Sequence, residues 1–370
     1  MRILLVAREF LPHIGGMETY AFELASYFKR AHDVFLITRI PDEVSDYRRR
    51  IDGVAIVPLL CDLADVDLGS VLRVCGSMKP DVVHILNAGL SYMVPALKAE
   101  GFKVVVTAHG KDFLHTWINV SKQKIISGME AADAVIAVSE MVKKRLLLCG
   151  IGNNVEIIHH GTNVKLFRPK VPNNALTKML QIPKGYKIIL TTCRVVPMKN
   201  LEAVIRVLPL LKKTAFLIVG PFYDHSYLKK LKSKALRFKV SDRVTFLGPV
   251  EYEKLPQFYS LCDVFILPST EPRKGDIESF GISFLEASSC GKPVVISSMA
   301  GGADIIKKEK MGIIVDPHNS ASILHGLKTA LFNRTLRKAM SRRAKTIVRG
   351  RFDWPVCAKK TLRIYQKLNH

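Results

Sequence analysis

The densest chemical signal in the sequence lies between Asp276 and Pro293, in the run DIESFGISFLEASSCGKP. Glu278 stands just before a predicted helix and Glu286 lies inside it, at E-x7-E spacing, so two carboxylates are held on either side of a helix start. A carboxylate accepts two hydrogen bonds at once and suits the vicinal hydroxyls of a sugar or ribose. The amides of Phe280, Gly281 and Ile282 at the helix N-terminus suit a phosphate. The plain alternative is an amphipathic helix whose glutamates are only solvated. Against it stands the setting of Glu286, between Leu285 and Ala287 in a helix of apolar and small residues.

Two further places could hold an anion. Arg194 and Lys199 follow a predicted strand in CRVVPMKN, where a guanidinium and an ammonium can converge on one dianionic group such as a departing diphosphate. Taken alone, a surface pair explains them equally well. Gly15-Gly16 follow the first strand and open a helix near Met17, which makes a loop for a phosphate or an acceptor. The full G-x-G-x-x-G dinucleotide fingerprint is missing, which argues against a nicotinamide enzyme.

These residues need strands and helices to hold them. Runs rich in Val, Ile and Leu at 2–7, 34–38, 81–86, 103–108 and 133–138 predict buried parallel strands, alternating with helical spacing at 17–30, 91–100 and 121–131. After the Pro- and turn-rich segment 158–183, read as a linker, the rhythm restarts. Strands are predicted at 187–192, 215–219, 243–247, 263–267, 293–297 and 312–315, and helices at 199–212, 226–236, 282–290 and 320–332. The expected fold is α/β, with two doubly wound, Rossmann-like domains and a cleft between the carboxyl ends of their strands.

Length and composition agree: 370 residues allow two domains of roughly 150 residues each. With 48% hydrophobic and 24% charged residues the chain is neither disordered nor fibrous. Arg8 and Glu9 end the first apolar run too early for a signal peptide, and no run reaches the about 18 apolar residues of a membrane span. Seven scattered cysteines (61, 75, 149, 193, 262, 290 and 357) without a CxxC pair predict neither a disulfide framework nor a zinc site and fit a reducing compartment. The excess of 56 Lys and Arg over 32 Asp and Glu, a net charge of +24, would attract nucleic acid, anionic lipid headgroups or a phosphorylated substrate; the alternative is a basic but unspecialised surface, since Lys and Arg occur all along the chain. Residues 337–351 concentrate that charge on one predicted helix, whose plainest reading is a solvated face.

Taken together, Gly15-Gly16, Arg194 with Lys199 and ESFGISFLEASSCGKPVV (278–295) resemble the motifs of retaining glycosyltransferases of the GT-B fold, family four. Thr107-Ala108-His109-Gly110, Ile158-His159-His160-Gly161 before Phe167-Arg168-Pro169, Phe246-Leu247-Gly248-Pro249-Val250 and Asp263 to Ser269 fall in the family's order, so the resemblance covers nearly the whole chain. It implies that Arg194 and Lys199 bind the donor's diphosphate, Glu286 the ribose and Glu278 the transferred sugar. It also implies that His109 faces the anomeric centre and that Gly248, Pro249 and Val250 offer backbone groups to the base. Retention by same-face attack, with the leaving phosphate as base, would need neither a nucleophilic carboxylate nor a metal. Four departures stand out: Ser279 replaces the commoner Gly, Gly301-Gly302-Ala303-Asp304 replaces GG-x-P-E, Ala31-His32-Asp33-Val34 lacks the family's Gly before the second strand, and the longer loop Glu271–Asp276 resembles that of members acting on phosphatidylinositol-like lipids.

The resulting expectation is a cytoplasmic hexosyltransferase, peripheral at the inner face of a membrane. It would use a nucleotide diphosphate sugar, no resident cofactor, and a glycolipid or glycan acceptor. Residues 1–165 with 352–370 form the acceptor-side domain and 166–351 the donor domain; the helix after Phe352-Asp353-Trp354 crosses back to the first. Nucleic acid is not an expected partner. Two rivals are a sugar-nucleotide epimerase, which the ESFG-x4-E block opposes, and a non-catalytic basic protein binding membrane or nucleic acid. A pure binder has no need of Arg194, Lys199, Glu278 and Glu286 together.

Overall fold

The computed structural model describes residues 1–8, 10, 15–39, 50–51, 54–59, 67–114, 120–152, 154–171 and 173–369. Cys61 and Pro172, which entered the sequence reading, lie outside them. The chain forms two compact units, Met1–Gly161 with Trp354–His370, and Thr162–Asp353. The division falls after Gly161 and after Asp353, rather than after 165 and 351. The reason is local: the Thr162 amide donates to the Phe352 carbonyl (2.8 Å) and Thr162 bridges Asp353, so both crossing segments close on the second unit.

In the first unit the described residues build a sheet from β1 (Arg2–Val6), β2 (Asp33–Arg39), β3 (Arg50–Ile51), β4 (Val54–Leu59), β5 (Val82–Ile85), β6 (Val104–Ala108), β7 (Ala134–Ala137) and β8 (Val155–Ile157). Its order is β3-β4-β2-β1-β5-β6-β7-β8, parallel throughout except for β3 against β4. Ile3, Leu4, Leu5 and Val6 are all fully buried, because helices cover both faces of a parallel sheet and leave no polar side to alternate with. The sequence reading missed β3, β4 and β8. Pro58 interrupts the pattern of β4, and β8 is three residues long with an exposed Glu156. The helix Trp354–Asn369 belongs to this unit: the Tyr365 hydroxyl meets His84 Nδ1 on β5 at 2.5 Å and its ring packs on Phe28.

The second unit has β9 (Lys187–Thr192), β10 (Thr214–Val219), β11 (Val244–Gly248), β12 (Val264–Leu267), β13 (Val294–Ser297) and β14 (Ile313–Val315), all parallel, in the order β11-β10-β9-β12-β13-β14. Phe216, Ile218, Val264 and Ile266 of the strands pack with Leu201, Val204, Leu231 and Leu327 of the helices in one core. The predicted helix 199–212 is shorter, Leu201–Val207, flanked by single 3-10 turns at Pro197–Lys199 and Leu208–Leu210, each opened by or containing a proline. Both sheets start in the middle. The chain runs outward from β1 and from β9, then crosses to the other side at β5 and β12. The crevices at the carboxyl ends of β1/β5 and of β9/β12 are therefore switch points, where open α/β sheets bind ligands.

Candidate active site

In the second unit the switch point is lined by the segments leaving β9 and β12. Asn200 holds the first in place: its backbone is left-handed (φ +51°), and its side-chain amide donates to the carbonyls of Pro268 (3.2 Å) and Pro317 (3.0 Å). The Thr270 amide adds a bond to the Met198 carbonyl at 2.9 Å. So fixed, the buried Lys199 turns its ammonium onto the Glu278 carboxylate, which also accepts from Ser269 Oγ at 3.1 Å. Glu278 itself is anchored through its carbonyl, which accepts from the Gly301 amide at 2.8 Å. Arg194 is exposed and makes no hydrogen bond or ion pair among the described residues, which leaves its guanidinium open to an anion.

Three residues past Glu278 the chain enters the helix Ile282–Ser289 through Gly281, at φ +91°. A Cβ there would sit 2.6 Å from Leu267 Cδ2, so the position needs glycine on both conformational and steric grounds. The Phe280 side chain is core, tilted against Phe284, and only its backbone could face a ligand. Glu286 lies one turn further on and is buried. Tyr259 donates to its Oε2 at 2.5 Å and in turn meets Thr192 Oγ1, at the end of β9, at 2.5 Å. Since the one phenolic proton goes to the carboxylate, the Thr192 hydroxyl donates to Tyr259. Burial pushes the Glu286 carboxyl up to about 7, against the lowering effect of the Tyr259 bond.

At the end of β11, Gly248 (φ +72°) already accepts the Gly220 amide at 2.8 Å, and Pro249 has no N–H, so carbonyl acceptors dominate what Gly248 and Pro249 can present. Val250 is half-buried beside them. Gly220 must stay glycine: at φ +139° a Cβ would lie 2.0 Å from the Cys193 carbonyl, just ahead of Arg194.

The other candidates belong to the first unit. His109 follows β6 and is buried; its amide donates to Asp112 Oδ1 at 3.0 Å, and its Nε2 faces the Leu86 carbonyl, past the end of β5, at 3.0 Å. That ring nitrogen must carry the proton, which leaves Nδ1 as an acceptor. Burial lowers the imidazole's pKa against the opposing effects of Asp112 and Leu86. Tyr20 stands edge-on to His109 (5.3 Å) and stacks on His160 (5.0 Å). Gly15 caps the helix Gly16–Phe28, but the Glu18 carboxylate folds back over it: a Cβ on Gly15 would lie 2.3 Å from Glu18 Oε2. The chain's own acid thus occupies the helix start that the sequence reading assigned to a phosphate or an acceptor.

The structure therefore joins Lys199 to Glu278 directly and sets Glu286 beyond the same Gly281 turn. His109, Gly15 and Gly16 stand at the switch point of the other unit. Sequence reasoning gave no role to Ser269, Tyr259, Thr192 or Asp112. Ser269 closes the Asp263–Ser269 motif, which was the only signal available for any of them. Among the described residues no group of three or more His, Cys, Asp or Glu side chains is placed to hold a metal, and no helix is long and apolar enough to cross a membrane.

The family described as glycosyl transferases group 1 matches residues 173–347, and glycosyltransferase family 4 matches residues 14–166. The chain belongs to the family 4 glycosyltransferases of GT-B fold. It is 26% identical, over 97% of its length and 96% of the relative's, to a GDP-mannose-dependent alpha-(1-6)-phosphatidylinositol monomannoside mannosyltransferase of Mycobacterium tuberculosis. It is 23% identical, over 99% of its length and 100% of the relative's, to spore coat protein SA of Bacillus subtilis. Among solved structures, this glycosyltransferase shares its fold with sucrose-phosphate synthase from Thermosynechococcus elongatus (TM-score 0.83, 20% identity, 99% and 98% of the two chains). It shares it also with Anabaena HepE in complex with UDP and glucose (TM-score 0.81, 19% identity, 99% and 100%).

Proposed function

We propose that this glycosyltransferase moves a hexose, with retention of anomeric configuration, from a nucleotide diphosphate sugar to a hydroxyl of a lipid-linked or glycan acceptor. The observation that carries the reading is the set of groups at the β9/β12 switch point. The Lys199 ammonium is held by Glu278, the open Arg194 guanidinium lies five residues before it, and Glu286 is buried behind the Gly281 turn. In this reading Lys199 and Arg194 take the diphosphate and stabilise the charge that grows as the glycosidic bond breaks. Glu278 exchanges its ammonium partner for sugar hydroxyls, and Glu286 receives the ribose. The Gly248–Val250 segment and the amides of Phe280, Gly281 and Ile282 add backbone groups to the base and phosphates. His109, in the first unit, offers Nδ1 as an acceptor. The cations neutralise the leaving group, so the scheme contains neither a metal nor a resident cofactor.

The names of the relatives make GDP-mannose the first donor to test and a phosphatidylinositol-type glycolipid the first acceptor. A lipid acceptor and a net charge of +24 together favour work at the inner, anionic face of a membrane from the cytoplasm. The test is a panel of GDP-, UDP- and ADP-sugars read by thermal shift and by transfer of labelled sugar. One donor should raise the melting temperature. Lys199→Ala and Glu286→Ala should each lower transfer by roughly a hundredfold or more while the fold persists. Near-normal turnover in both variants would refute the site.

A further inference from the structure

Arg194 and Lys199 offer their charges to an anion on different terms. Arg194 is exposed and unpaired among the described residues, so an anion reaches it without displacing a partner. Lys199 is committed: its ammonium lies on Glu278 Oε2, and the two side chains are only 10% and 11% exposed. The same oxygen accepts from the fully buried Ser269 at 3.1 Å. Glu278 Oε1, by contrast, makes no hydrogen bond among the described residues. One carboxylate oxygen is saturated and the other is open.

The backbone on both sides of the pair is fixed, so only the side chains can part. Asn200 ties the turn that carries Lys199 to the carbonyls of Pro268 and Pro317. The Glu278 carbonyl accepts from Gly301, and a Cβ on Gly281 would lie 3.6 Å from Glu278 Cγ. An anion that draws the ammonium away therefore leaves a largely buried carboxylate with a single hydroxyl as partner, and an uncompensated buried charge is costly. A hydroxyl that donates to Oε1 offsets that cost, because the carboxylate then keeps two donors.

We propose that the Lys199–Glu278 pair selects the sugar-bearing donor over the bare nucleoside diphosphate. Lys199 passes to the diphosphate as a sugar hydroxyl takes its place on Glu278, and it returns once the sugar has been transferred, which loosens the remaining diphosphate. The inference deepens the function proposed above and rests on its placing of diphosphate and sugar at these two side chains.

The test is isothermal titration of the full chain with GDP and GDP-mannose, UDP and UDP-glucose, and ADP and ADP-glucose, the pair that binds being carried through the variants. Glu278→Gln keeps the shape of the side chain and removes its charge. It should free Lys199 and tighten the bare diphosphate by roughly tenfold or more, the worth of a hydrogen bond to a charged group, with no matching gain for the nucleotide sugar. A nearby carboxylate also repels a diphosphate through space, and Lys199→Met separates the two effects. With no ammonium to release, the gain from Glu278→Gln in the Lys199→Met background should be at least several-fold smaller than in the parent. Lys199→Gln, which keeps a neutral donor beside Glu278, should give the same result, and circular dichroism checks that each variant is folded. Equal gains in the parent and in these backgrounds would reduce the effect to repulsion and overturn the proposal while leaving the diphosphate at Lys199. Equal gains for the diphosphate and the nucleotide sugar would overturn it as well. If none of the three pairs bound, or if Lys199→Met left nucleotide binding unchanged, the proposed site would fall and this inference with it.

Discussion

Glu278 and Glu286 put the same functional group in opposite settings. Glu278 faces an ammonium and a hydroxyl, whereas Glu286 is buried with a phenol as its partner, and burial raises its carboxyl to about 7 from an ordinary value of 4.5. Between those values the folded protein holds a proton that the unfolded chain has released. Ligand-free stability therefore falls as pH rises through that window, by on the order of 3 kcal/mol in all, and the deficit is complete above about 7. Glu286→Gln should flatten this slope, read by hydrogen exchange of the 282–289 helix at about pH 5 and about pH 8. Under the proposed ribose role of Glu286, donor binding has the opposite sign, because only the ionised carboxylate accepts two ribose hydroxyls. Affinity for the nucleotide sugar should rise with pH through about 7 in the parent and stay flat in the Gln variant; parallel profiles would remove Glu286 from the ribose. The E-x7-E spacing made both glutamates legible in the sequence. Their different settings were not, since the Tyr259 that meets Glu286 lies 27 residues away on another helix.

One element, the helix Ile282–Ser289, carries Glu286 and is entered from Glu278 through Gly281, so the start of that helix sets both carboxylates. Any L-residue at the φ of Gly281 is strained by roughly 1–2 kcal/mol, and the contact of its Cβ with the buried Leu267 adds a similar amount. Gly281→Ala should destabilise the second unit by about 2–4 kcal/mol and weaken nucleotide binding, measured by urea unfolding and titration. An unchanged midpoint with unchanged affinity would show that the turn does not position the site. The strands that the sequence made plain, such as β1, β6, β9 and β12, are buried on both faces and read as unbroken apolar runs. Those it hid are short or carry a proline, as β8 and β4 do. Helix limits blurred where prolines turn the chain before and after Leu201–Val207. The Glu18 carboxylate over Gly15 was beyond reach as well, because a rotamer is set by packing and not by spacing.

At the scale of the whole molecule the chain is two doubly wound units, and its last helix belongs to the first of them. The Phe352-Asp353-Trp354 signal announced that return, but the interactions that fasten it arise only in the fold. Tyr365 is fully buried and bonded to His84 Nδ1; His84 Nε2 meets Thr107 Oγ1 at 2.7 Å, and Thr107 meets the Tyr20 hydroxyl at 3.2 Å. Burial lowers the His84 imidazole to about 3, so it stays neutral at physiological pH and cannot replace a lost partner by taking up a proton and a counter-ion. Tyr365→Phe removes a hydroxyl and should cost about 1–2 kcal/mol, whereas Tyr365→Ala also leaves a cavity and should cost about 3–5 kcal/mol. Because two units need not unfold together, the effect is best located by hydrogen exchange. Protection should fall in β5 and β6, more for Ala than for Phe, while β9 and β12 and their protection by bound nucleotide stay at parent levels. Equal loss in both sheets would mean that the C-terminal helix stabilises the molecule as one cooperative body rather than completing the first unit.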